Sequence, residues 1–74
     1  MTNRDKAREL DEKVVEELLV IREHTRRLMD ITKRYCSPAN RERMKLMKSI
    51  ERLDSARCEA AGALQMAVNA EERL

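Results

Sequence analysis

From Val14 onward, apolar or neutral residues fall at 14, 18, 21, 25, 28, 32 and 35, in alternating steps of four and three. That is the heptad spacing of a helix packing one stripe against another helix. Ala7 and Leu10 carry the stripe toward the N-terminus with a small phase shift. The alternation returns at 46, 50, 53, 57, 60, 64, 67, 71 and 74, where only Arg57 and Glu71 are polar. Long side chains of that kind snorkel at the edge of a seam. The spacing predicts helix 1 over about 3–35 and helix 2 over about 38–72.

Between them, "RYCSPANRER" at 34–43 holds the only proline and the only tyrosine. Ser37 followed by Pro38 reads as a helix start. The serine accepts free backbone N–H groups, and proline at the first helical position lacks only a donor that would be orphaned there. The predicted turn, about 36–38, is short enough to force the helices antiparallel. At the other end, Thr2 and Asp5 have capping-box spacing. Folding about residue 37 sets Leu28 near Leu46, Ile21 near Leu53, Leu18 near Ala56, Val14 near Ala60 and Leu10 near Leu64. The predicted fold class is all-α: one domain over 1–74, an antiparallel two-helix hairpin.

One seam leaves apolar residues over. Helix 1 adds Val15, Leu19, Val20, Met29 and Ile31, and helix 2 adds Met44, Met47, Ala61, Met66 and Val68. A stripe this wide indicates packing on two sides, met most economically by a homodimer of hairpins forming a four-helix bundle. The small residues of "LDSARCEAAGALQMA" at 53–67 are expected to lie against the bulky "VVEELLVI" block at 14–21, with Gly62 marking a tight crossing. A helix from another protein is the rival occupant.

Charge changes the picture through its distribution. The net is only +2. Residues 22–48 carry nine basic side chains against three acidic ones, whereas both flanking segments are net acidic. No apolar run approaches the length of a membrane span, since the longest, "LLVI" at 18–21, has four residues. The polar N-terminus does not read as a signal peptide, and two cysteines without one read as free thiols, so a cytoplasmic location is expected. The hairpin would hold Cys36 and Cys58 roughly 30 Å apart, against the ~5.5 Å between Cα atoms that a disulfide needs.

Candidate chemistry is thin. His24 is the only histidine, with no glutamate three residues before it as carboxylate metal sites in bundles use. Cys36 has Lys33 and Arg34 nearby but no base at a recognisable spacing. A single glycine makes no phosphate loop. The expectation is a non-enzyme without cofactor or metal.

Two binding readings remain. The first is a protein–protein interaction module of the adaptor, chaperone-like or assembly-subunit kind, with Val15, Leu19, Val20, Met29, Met47 and Val68 as its apolar contact residues. The second is a nucleic-acid-binding regulator contacting phosphates through Arg26, Arg27, Lys33, Arg34, Arg41, Arg43 and Lys45 near the turn. The architecture resembles small bacterial RNA-binding hairpin dimers of the Rop kind, and small helical-hairpin chaperones. That likeness is one of architecture alone and assigns no residue a role.

Overall fold

A computed structural model describes residues 2–74. They form two long helices, α1 (Asn3–Tyr35) and α2 (Arg43–Arg73), packed against each other, with no strand among the described residues. The Cα trace measures 56 × 15 × 9 Å, a rod one helix thick.

The start of α1 is built as its sequence requires. Thr2 is extended, its hydroxyl accepts the Asp5 N–H at 3.1 Å, and the Asp5 carboxylate accepts the Thr2 N–H at 3.4 Å. This reciprocal pair satisfies two of the four N–H groups that a helix start leaves without partners. Lys33 and Arg34 sit in the last turn, where positive charge complements the helix dipole.

The start of α2 departs from expectation: the helix begins at Arg43, not at residue 38. Residues 36–42 instead make two successive turns, closed by Asn40 N–H to Ser37 C=O (3.0 Å) and Arg43 N–H to Asn40 C=O (3.2 Å). Ser37 Oγ accepts the Ala39 N–H at 3.2 Å and Asn40 Oδ1 accepts the Glu42 N–H at 2.9 Å. Proline at the second position of a turn, with serine and asparagine at first positions, suits this geometry as well as a helix start. The same chemistry served the loop.

The packing phase also differs. Covered positions run 3, 7, 10, 11, 14, 18, 25, 29, 32 and 36 on α1 and its end, and 43, 47, 50, 54, 57, 64, 68 and 71 on α2. The expected stripe shares 7, 10, 14, 18, 25 and 32, and 50, 57, 64 and 71. At five further positions the covered residue is the next one along: Met29 for Leu28, Cys36 for Tyr35, Met47 for Leu46, Asp54 for Leu53 and Val68 for Ala67, whereas around Ile21 and Ala60 neither residue is covered. Periodicity locates the middle of a wide stripe, and a two-helix contact takes one edge of it.

The buried set is therefore small. Ala7, Leu64 and Val68 cluster with partly buried Leu10, Val14 and Leu18, and Ile50 is buried separately. Thr25 and Thr32 complete the seam. Their hydroxyls donate to Arg22 C=O at 2.8 Å and Leu28 C=O at 2.7 Å, so neither buries an unsatisfied oxygen. Arg57 lies at the seam's edge, Nε donating to Asp54 Oδ1 at 3.0 Å. Val14 and Leu18 pack against the cluster of Ala7, Leu64 and Val68, while Ala56, Ala60, Ala61, Ala63 and Ala67 are all exposed.

Gly62 marks no crossing within the hairpin, since a Cβ built on it meets nothing within 4 Å. Glycine in an open helix interior carries only its entropic cost. Gly62→Ala is therefore expected to raise stability by about 0.5–1 kcal/mol, read as a higher urea midpoint at unchanged slope.

Candidate functional site

Helix period and burial together sort the remaining side chains into two broad faces. One is fixed directly: a groove of about 450 Å³ is lined by Arg22, Arg26 and Met29 of α1 and by Glu51, Asp54 and Ser55 of α2. A second hollow beside the turn, lined by Pro38, Met44, Met47 and Glu51 among others, continues on that side. Residues about 100° round each helix from the seam in the opposite sense form the other face.

That other face is apolar and spans both helices. Ile21 (44% exposed) and Leu28 (41%) from α1 stand beside Leu46 (48%) and Leu53 (53%) from α2. Ile31 and Val20 extend its α1 edge, and the alanines at 56, 60, 63 and 67 continue it along α2 toward the termini. On α1 only Glu17 and His24 interrupt the row 10, 14, 17, 21, 24, 28, 31. Both are exposed. Four large aliphatic side chains each two-fifths exposed or more on one side of a 74-residue chain make a patch of the kind that marks an association surface.

The six residues expected to supply apolar contact are scattered. Val68 is buried in the seam, at 7% exposure. Met29 and Met47 are partly covered, and each lines a hollow on the groove side. Val15 and Leu19 are exposed and point away from the apolar face, toward the groove side, while Val20 borders the apolar face. The missed residues are Ile21, Leu28, Leu46 and Leu53. Their apolar periodicity was visible, but it had placed them in the intramolecular seam.

The basic residues divide as well. Arg26 and Lys33 share the groove side, and Arg26 lies near Glu51 and Asp54 in the groove lining. Arg27 and Arg34 line the outer edge of α1, with Arg27 Nε 3.7 Å from Glu23 Oε1. Arg41 is in the loop, Arg43 is partly buried at the start of α2, and Lys45 Nζ pairs with Glu42 Oε2 at 3.2 Å. The turn-proximal half is basic overall, but no single surface gathers these seven side chains.

Cys36 is partly covered at the end of α1, and Cys58 is exposed, with its sulfur 3.1 Å from Arg57 Nη2. Both thiols are free. Among the described residues no group of three His, Cys, Asp or Glu side chains is placed to hold a metal ion, and no helix is long and apolar enough to cross a membrane. Comparison with known proteins returned no matching family model, no matching curated protein and no matching solved structure.

The phase of α2 can be checked chemically. Cys58 is expected to react with a small alkylating reagent in the native state several-fold faster than Cys36, measured site by site in Cys58→Ser and Cys36→Ser variants. Equal rates, or a faster Cys36, would contradict the outward placement of position 58.

Proposed function

We propose that this chain is a protein–protein interaction module that packs its apolar face against a second helical hairpin, its first partner being another copy. The product is a homodimeric four-helix bundle, in the class of small adaptor, chaperone-like or assembly subunits. The observation that carries this reading is the exposed aliphatic face formed by Ile21, Leu28, Leu46 and Leu53.

Surface area supports it. The chain exposes 6160 Å² at 8.7 kDa, whereas a compact monomer of that mass exposes about 4,700 Å². The excess, roughly 1,400 Å², comfortably exceeds the ~800 Å² per partner of a standard interface.

Helix phase supports it again. In a four-helix bundle each helix touches two neighbours, so its apolar stripe points between them, at the bundle axis. The row 14, 18, 21, 25, 28, 32, 35 has that orientation: Thr25 and Thr32 turn into the hairpin seam, while Ile21 and Leu28 lie just outside it. A partner with two helices of similar length completes the arrangement. The nucleic-acid reading has less support, because the basic side chains split between two surfaces and two of them are already paired with glutamates.

Light scattering behind size exclusion tests the proposal. The wild-type chain is expected at twice 8.7 kDa. Leu28→Glu and Leu53→Glu would each bury a carboxylate in the interface and raise Kd by at least about 100-fold, ~2.7 kcal/mol. Leu19→Glu, on the other side, should leave the dimer intact. A monomeric wild type would overturn self-association, and a dimer broken by Leu19→Glu but not by Leu28→Glu would place the interface on the wrong face.

A further inference from the structure

We infer that the two copies stack end for end, with the turn of each hairpin lying over the termini of the other. This rests on the self-association proposed above and adds its orientation. Face-to-face stacking with twofold symmetry allows two arrangements. A twofold axis along the rod brings both turns to one end and lays α1 over the partner's α2. A twofold axis across the rod puts the turns at opposite ends and lays α1 over the partner's α1 and α2 over its α2.

Three features favour the second arrangement. The first is the charge along the rod. The turn-proximal half, residues 21–57, holds eleven basic and five acidic side chains, a net of +6. The terminal half, residues 1–20 and 58–74, holds five basic and nine acidic ones, a net of −4. Turns together would lay +6 against +6, and turns apart would lay +6 against −4. Juxtaposed like charge is what interfaces avoid.

The second is a line of charges on the outer edge of α1, beside the apolar face. Glu9 and Glu16 stand in one half, and Arg27 and Arg34 in the other. Their steps of seven, eleven and seven residues are close to two, three and two helical turns, so all four share one edge. The pairs 9 with 34 and 16 with 27 are both centred between Ile21 and Arg22. Rotation about an axis at that point carries Glu9 over the partner copy's Arg34, and Glu16 over its Arg27, twice each by symmetry. The centre lies within three residues of the middle of α1 (Asn3–Tyr35), so nearly the whole length stays in contact. All four side chains are exposed. Arg27 has only its long contact to Glu23, and the other three make no ion pair among the described residues.

The third is side-chain size. The large residues of the apolar face, Ile21, Leu28, Ile31, Leu46 and Leu53, all belong to the turn-proximal half. The terminal half of α2 presents Ala60, Ala63 and Ala67, with Ala56 just before it. End-for-end stacking lays Leu46 and Leu53 against that alanine row, large against small. Stacking with turns together would set large against large at one end and leave the other end thin.

The test is a distance. Ala39 is exposed at the turn, and its side chain makes no hydrogen bond. A spin label on Ala39→Cys, in a chain also carrying Cys36→Ser and Cys58→Ser, reports the turn-to-turn separation by pulsed dipolar spectroscopy. A sample of dimer mass is expected to show a separation approaching the 56 Å length of the rod. A dimer with labels within about two helix diameters, roughly 20–25 Å, would overturn the orientation and leave the apolar-face reading standing. A monomeric mass would overturn both. The charge line has its own check: Arg27→Glu with Arg34→Glu should raise Kd at least about tenfold at low salt. Adding Glu9→Arg and Glu16→Arg should restore it, and failure to restore would overturn the register.

Discussion

A two-helix hairpin has one seam, and one seam covers one edge of each helix. The rest of this structure follows from that constraint. α1 and α2 each carry an apolar stripe wider than the edge they share. The contact settles where every buried polar side-chain atom is answered locally. Ala7 is fully covered, and Thr25 and Thr32 turn their hydroxyls back onto their own helix. The larger aliphatic residues are left outside. With four buried hydrophobic residues among those described, the single hairpin has little to set against the entropy of ordering two 50 Å helices. The association proposed above would then supply stability as well as function.

Much of this was legible before any coordinates. The two helices, their antiparallel course and the Thr2–Asp5 cap follow from heptad spacing and end chemistry, which act locally. Two things were not legible, for distinct reasons. Ser37-Pro38 is ambiguous because serine and proline favour a turn for the same reasons that they favour a helix start, and only Asn40, bonding to Glu42 N–H, resolves the choice. The phase of the seam was hidden because periodicity reports where a stripe is centred and not which edge a neighbour takes. One residue's rotation exchanged Leu28 for Met29, and Leu53 for Asp54, between surface and seam. The residues assigned to the intramolecular contact thereby became the candidate docking face.

The basic turn region shows how a linear charge count misleads in the opposite direction. Arg26, Arg27, Lys33 and Arg34 are close in sequence, yet a helix distributes them over two sides, and Asp54 and Glu51 stand among those on the groove side. A phosphate backbone is tracked by cations on one continuous surface. Here the surface shared by both helices is largely aliphatic, interrupted on α1 by Glu17 and His24, and the seven basic side chains lie outside it.

That division of labour suits a chain without Phe or Trp. Aliphatic stripes of Leu, Ile and Ala supply affinity but discriminate poorly between orientations, since any two such stripes interdigitate tolerably. The one aromatic, exposed Tyr35, stands at the turn end of the α1 row, seven residues beyond Leu28, so no aromatic anchors the middle of the apolar face. In the proposed dimer, orientation would then come chiefly from what rims the stripe. Rim charges are weak individually in water, but they act as a set: in the proposed dimer a stack with both turns at one end would incur repulsion along its whole length, while the end-for-end stack would relieve it. A high charge content with a small net charge is what such a device requires. In the end-for-end stack proposed above, the 41% of charged residues, separated into a basic half and an acidic half, would select one of two arrangements that the apolar face alone would leave nearly equivalent.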